Sequence, residues 1–239
     1  MIQRLSPRLF TLSAVAGLGL LAVLAGKSSF AQAEEAGQRL PDAVLQANEK
    51  GSLRTATFAG GCFWGVQGVF QHVRGVKQAV SGYAGGDRAH ATYKAVSSGA
   101  TGHAEAVRVT YDPTVISYDG LLTIFFSVAL DPTQVNRQGP DSGTQYRSAL
   151  FPADAEQARV ARAYIGQLDA AHVYDRPVAT TIEPGATFYP AEAYHQDYMA
   201  LHPGNPYIAA NDAPKVRDLQ RFFPERTTPS PTLVGTPPA

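Results

Sequence analysis

Apolar positions recur along the chain in short rhythms that change from one segment to the next, and each rhythm predicts an element. Residues 55–59 read as a short strand. Behind it, Phe63, Val66, Phe70 and Val73 are spaced to share one face of a helix. Gly75-Val76 marks a turn into a second strand over 78–83, which ends at Gly85-Gly86. Residues 87–98 have no clear period and predict an irregular or short helical segment. From 105 to 111 the residues alternate as in a half-buried strand, and Asp112-Pro113 stops it. Ser117 can cap the next helix, whose Leu121, Ile124, Phe125 and Val128 form one apolar stripe. A loop over 131–144 precedes a strand at 145–151, a helix rich in Ala, Arg and Gln at 154–171, and a strand at 178–183. Beyond Phe188 aromatics and prolines are frequent and no period stands out. This order predicts a two-layer α+β sandwich with a ferredoxin-like (split βαβ) core and long irregular coil.

Both ends depart from this pattern. Arg4 and Arg8 open a segment that is almost wholly apolar or small from 9 to 26 and closes on Ala31-Gln32-Ala33, an A-x-A cleavage pattern. Residues 1–33 therefore predict a secretory signal peptide cut after Ala33, with the mature protein exported to the periplasm or beyond. An uncleaved membrane anchor competes with this reading, but the apolar run is short for a span. Residues 34–52 form a polar lead, read either as a short helix near 43–48 or as disordered. The globular domain is expected to open near Leu53 and run to 223. Residues 224–239, rich in Pro and Thr, predict a disordered tail.

Composition narrows the partners. A chain of 239 residues with 44% hydrophobic content can bury one sizeable core. Loss of Arg4, Arg8 and Lys27 with the signal leaves 17 basic against 20 acidic residues. There is no basic stripe to neutralise phosphates, so no nucleic-acid partner is expected. The expected state is a monomer with no stable membrane association after cleavage. The six histidines show no metal-like spacing, and there is no phosphate loop or dinucleotide fingerprint, so neither a metal nor a bound cofactor is expected.

The single cysteine, Cys62, lies two positions before the single tryptophan, in Gly60-Gly61-Cys62-Phe63-Trp64-Gly65. A strand turns into a helix here. Unpaired N–H groups and the positive end of the helix dipole would favour a thiolate at this point. Two readings are open: a small buried hydrophobe, or a reactive thiol. An exported chain with one cysteine cannot make an internal disulfide, which favours chemistry. Glu105 opens a half-buried strand, where an apolar pocket would keep its carboxyl protonated; a solvent-facing strand end is the plainer reading. Asp141 and Tyr146 lie in a loop feeding a strand, and Tyr93 in a similar loop. Buried tyrosines more often anchor a core. His195 can be drawn as a base for Cys62.

Five ordered blocks resemble the A-type peptide-methionine sulfoxide reductases. They are Gly61-Cys62-Phe63-Trp64-Gly65, Ser81-Gly82-Tyr83-Ala84-Gly85-Gly86, Ser98-Gly99-Ala100-Thr101-Gly102-His103-Ala104-Glu105, the run from Gly139 to Ser148 and Tyr194-His195-Gln196-Asp197-Tyr198. The resemblance implies reduction of the S epimer of methionine sulfoxide, free or in proteins. It implies Cys62 as the nucleophile on the sulfoxide sulfur and Phe63 and Trp64 as the apolar wall for its methyl group. A protonated Glu105 with Tyr93 and Tyr146 would bind and help protonate the oxygen, and Asp141 would support the site and the peptide. The product state of Cys62 is a sulfenic acid. Three departures stand out. No resolving cysteine exists, so an external thiol, a thioredoxin-like protein or a small thiol, must reduce Cys62. Gln67 replaces a frequent Glu, with little effect expected, and Leu130 replaces a frequent His. A single-cysteine thiol peroxidase is the competing enzyme; the apolar Phe63-Trp64 pair favours a methyl group over a peroxide. A Cys–His hydrolase and a non-catalytic binder of oxidised peptides complete the alternatives.

Overall fold

A computed structural model describes residues 37–235. The expected signal peptide and its cleavage point lie outside the described residues. Strand β1 (Arg54–Gly60) leads into helix α1 (Phe63–Gln71), then β2 (Val76–Ala84), the single turn α2 (Tyr93–Val96) and β3 (Ala104–Tyr111). Helix α3 (Tyr118–Ile124) follows and continues as a π-helical turn, Phe125–Ala129. A two-residue hairpin, β4 (Arg137–Gln138) and β5 (Asp141–Ser142), precedes β6 (Ser148–Phe151), α4 (Ala155–Ala170), β7 (Thr181–Ile182) and β8 (Phe188–Pro190). The chain closes with α5 (Tyr198–Leu201) and α6 (Ala213–Phe222).

The main sheet has the order β7-β6-β1-β3-β2-β8. Its centre, β6-β1-β3-β2, is antiparallel throughout. β1 and β2 are linked through α1 with β3 between them, and β3 and β6 through α3 with β1 between them. This is the split βαβ arrangement. β7 adds a parallel strand to β6 after α4.

Alternation decides the two faces. Ala56 and Phe58 of β1, Val107, Val109 and Tyr111 of β3 and Leu150 of β6 join the core under the helices. Phe58 packs on Phe70 and Phe125 with ring centroids 4.7 and 5.2 Å apart. The opposite face carries a smaller cluster of Ala59, Ala84, Ala104, Ala106, Ala149 and Phe151. Glu105 belongs by parity to the helix-covered face, in series with Val107 and Val109. That places a carboxyl in the core at the start of β3.

Both chain ends differ from expectation. The lead forms no helix over 43–48; it is an irregular strap on the helical layer. Leu40 and Ala43 are buried in the core, and the Gln38 and Leu40 amides donate to Ser127. Glu49 accepts from the Tyr111 hydroxyl and from the Tyr118 amide at the start of α3. The domain therefore includes the lead instead of opening at Leu53. The expected disordered tail is also docked as far as the structure describes it. Thr227 bridges Val73, and the Thr228 and Thr232 amides donate to the His72 and Gln71 carbonyls. These are last-turn carbonyls of α1 that have no partner within the helix, and the tail supplies one. Composition could not anticipate this, because the bonds use backbone groups.

Candidate active site

The site is built at the N-terminus of α1. Gly61 turns the chain with φ +85°, and a Cβ there would lie 2.4 Å from Gln138 Cβ. Only glycine meets both conditions. Cys62 follows as the N-cap residue with no side-chain cap, 9% exposed.

Glu105 reaches this turn from β3. It is 3% exposed, and one carboxyl oxygen accepts from the Phe63 amide at 3.1 Å. Burial lifts its pKa from 4.5 to about 8; the Phe63 bond opposes that rise and Asp141 and Asp212 add to it. The carboxyl is therefore protonated at neutral pH and can donate a hydrogen bond.

The tyrosines come from two braced loops. Tyr93 opens α2, where its amide donates to Glu192 at 3.0 Å; the second Glu192 oxygen accepts from the Tyr83 hydroxyl at 2.8 Å. Tyr146 closes a tight turn, Thr144–Tyr146, tied to the α2 loop by Thr144 Oγ1 on the Gly99 carbonyl at 2.6 Å. Arg147 holds the same turn with a two-pronged bond to Glu183, 2.9 Å at each nitrogen, and a third to the Gly102 carbonyl. The Tyr93 and Tyr146 hydroxyls are raised in pKa, by desolvation first and by nearby Glu105, and stay protonated donors. His103 braces the loop before Glu105. Its Nδ1 accepts from the Gly86 amide, so Nε2 carries the proton donated to the Asp87 carbonyl.

An aromatic wall closes the other side. Trp64 stacks on Tyr198 at 3.8 Å and meets Tyr207 edge-on at 6.2 Å. Phe63 is buried against His195 at 5.0 Å and Tyr83 at 6.0 Å. Asp141, on β5, accepts from the Tyr207 hydroxyl. All seven residues singled out in the sequence, Cys62, Phe63, Trp64, Tyr93, Glu105, Asp141 and Tyr146, thus belong to one region. Tyr198, Tyr207 and Asp212 join them. Tyr207 and Asp212 lie in the coil after Phe188, where no period marked them; an aromatic directly after Pro206 was the only local signal.

Three expectations change. Cys62 is not held as a thiolate. Its pKa is raised well above the usual thiol value, by burial first, then by Glu105 once that carboxyl ionises and by Asp212, while the Trp64 amide pulls the other way. Desolvation outweighs the helix terminus here. Gln67 is a buried brace. It donates to the Ala79 carbonyl and to Gln196, and accepts from the Asp197 amide, which fixes the 191–197 coil against α1 and β2. The Cys–His reading loses its base. His195 Nδ1 accepts from the Trp64 indole at 3.2 Å, and burial lowers the ring's pKa.

Among the described residues no cluster of three or more His, Cys, Asp or Glu side chains is placed to hold a metal ion. A separate cavity of about 470 Å³, lined by Gln38, Phe126, Leu130, Asp131, Arg176 and Lys215 among others, contains none of the seven residues.

Residues 54–227 match the sequence model of the family described as peptide methionine sulfoxide reductase. A protein named peptide methionine sulfoxide reductase MsrA 2 from Mesorhizobium japonicum is 58% identical over 180 residues, covering 75% of this chain and 92% of its own. The Deinococcus radiodurans protein named MsrA is 52% identical over 171 residues, covering 72% and 82%. Among solved structures, Mxr1 of Saccharomyces cerevisiae in reduced form superposes with TM-score 0.59 at 34% identity, covering 68% of this chain and 93% of that one. Methionine sulfoxide reductase A of Corynebacterium diphtheriae superposes with TM-score 0.54 at 32% identity, covering 70% and 82%.

Proposed function

Since the chain belongs to the peptide methionine sulfoxide reductase family, we propose that it reduces the S epimer of methionine sulfoxide, free or in proteins, with Cys62 as the nucleophile. One observation carries the reading. A buried thiol and a buried, protonated carboxyl meet at the same helix turn, with an aromatic wall beside them.

The chemistry follows from those groups. A sulfoxide oxygen leaves poorly until it takes a proton. Glu105 supplies that proton, and Tyr93 and Tyr146 donate hydrogen bonds as negative charge grows on the oxygen. Phe63 and Trp64 hold the methyl group. The Cys62 sulfur attacks the sulfoxide sulfur, and the S–O bond breaks as oxygen passes to Cys62. The thiol proton ends on Glu105, restoring it. Net, thiol and sulfoxide become sulfenic acid and sulfide. Two external thiols then convert the sulfenic acid to thiol and water and leave as a disulfide. Cys62 is the only cysteine in the chain, so no internal thiol can take this step.

We further propose that the mature protein begins at Glu34, is exported, and acts as a monomer without stable membrane association. The A-x-A pattern at Ala31-Gln32-Ala33 supports the cut. An intact mass of the exported form that still includes residues 1–33 would overturn it.

The activity is tested by incubating the protein with dithiothreitol and peptides carrying either sulfoxide epimer. Methionine should form from the S epimer alone and only with reductant. Turnover of hydrogen peroxide with no methionine from either peptide would instead make the protein a single-cysteine thiol peroxidase.

A further inference from the structure

Cys62 caps α1 and Gly65 is the third residue of that helix, so the two share one face of its first turn. Gly65 has no side chain, and the space is taken from outside the helix. A Cβ on Gly65 would lie 2.1 Å from Asp212 Oδ1 and 3.2 Å from Lys215 Nζ. Asp212 ends a π-helical turn, Ile208–Asp212, that runs into α6, and Lys215 lies one turn further on. In many helices a carboxylate at the third position reaches back to the cap. Here a carboxylate occupies that place from another element.

Its surroundings are unusual for a structural aspartate. Asp212 is 0% exposed, and neither carboxylate oxygen takes a hydrogen bond from a protein group. Lys215 Nζ stands 3.7 Å from Oδ1, an ion pair too long for a hydrogen bond. A buried carboxylate left this way costs stability, so a purely architectural role is poorly served by it. We propose that Asp212, seated in the space Gly65 leaves and backed by Lys215, is a positioning residue that keeps Cys62 in its thiol form in the resting protein.

The charges around the thiol fit this role. Glu105 approaches from β3, Asp141 from β5 and Asp212 from the start of α6; Tyr93, Tyr146 and Tyr207 remain protonated. Glu105 is protonated at neutral pH, so it brings no charge until about pH 8. Asp212 is raised only to about 6, by burial, with Lys215 opposing the rise and Asp141 adding to it. Between these values Asp212 is the more ionised of the two and the stronger brake on the thiolate. A protein whose one cysteine has no partner gains from such a brake. A resting thiol resists adventitious oxidation and mixed disulfides, and these follow thiolate content.

The test is the pH profile of Cys62 alkylation by iodoacetamide in the full chain, for the parent, Asp212→Asn and Lys215→Met. Asp212→Asn should react about tenfold faster at pH 7.5, its profile displaced by about one pH unit to the acid side. Lys215→Met should be displaced the other way. Profiles that overlay the parent, or an alkaline displacement in Asp212→Asn, would overturn the proposal. If Asp212→Asn does not fold, Lys215→Met decides alone, and an unmoved profile then overturns it.

Discussion

Glu105 and Cys62 are both pushed toward their protonated forms by burial, and the same push serves them differently. For Glu105 it creates the proton donor. Activity should fall as pH rises through about 8, where the carboxyl ionises. In Glu105→Gln the alkaline limb should vanish while part of the rate remains, because an amide still donates a hydrogen bond. Glu105→Ala should lose far more, on the order of 10²-fold in kcat. Equal rates for the two variants would remove Glu105 from the oxygen site. For Cys62 the same push opposes nucleophilicity, so attack must be coupled to proton transfer once substrate is bound. Gly61 has a separate duty. Gly61→Ala forces a strained backbone and a clash with Gln138, and should cost roughly 2–3 kcal/mol with loss of activity. A variant within about 0.5 kcal/mol of the parent by urea denaturation would mean the turn is less constrained than its geometry implies.

Among the elements, those with a strong period were legible in the sequence. β1, α1, β2, β3, α3 and α4 lie within a few residues of their expected spans, because alternation and helical stripes record which side faces a core. Asp154 caps α4 by accepting from the Gln157 amide at 2.8 Å, and Ser117 caps α3 in the same way. The coil after Phe188 was not legible. α6 does carry an apolar stripe through Val216 and Leu219, but it is only 10 residues long, holds Pro214 and follows a π-helical turn, so the stripe does not stand out among the prolines and aromatics around it. Its place beside α1 is fixed by contacts distant in sequence. The tail departs from its expected disorder for a related reason, since Pro and Thr say nothing of carbonyls waiting on α1. Truncation after Arg226 removes the amides of Thr228, Thr232 and Val234, the last of which donates to Asp197 at 3.0 Å. The loss should be about 2 kcal/mol of unfolding free energy in a urea titration. An unchanged midpoint would mean that the tail is not docked in solution.

For the whole molecule, the site trades against stability. Glu105 has a folded pKa of about 8 against 4.5 as its ordinary value. The folded state therefore binds this proton more tightly than the unfolded chain. Its contribution is fully present below about pH 4.5 and is lost as pH rises through about 8, a span worth roughly 5 kcal/mol. Asp212 adds a smaller loss of the same sign between 3.8 and about 6. Unfolding free energy measured from pH 5 to pH 9 should decline in the parent and decline less in Glu105→Gln. Parallel curves would mean that burial does not hold the proton on Glu105. The sequence placed the seven site residues through motif resemblance. Their depth in the core, which sets these ionisations, came only with the fold.

The central claim is that one sulfur atom carries the oxygen from substrate to reductant. Single turnover tests it most directly. With excess methionine-S-sulfoxide peptide and no reductant, the parent should release about one methionine per chain and stop, Cys62 being its only cysteine. Mass spectrometry should find a sulfenic acid, trapped by dimedone, on the peptide containing Cys62. Cys62→Ser should release none. Continued turnover without reductant, or methionine from Cys62→Ser at the parent's rate, would contradict the account.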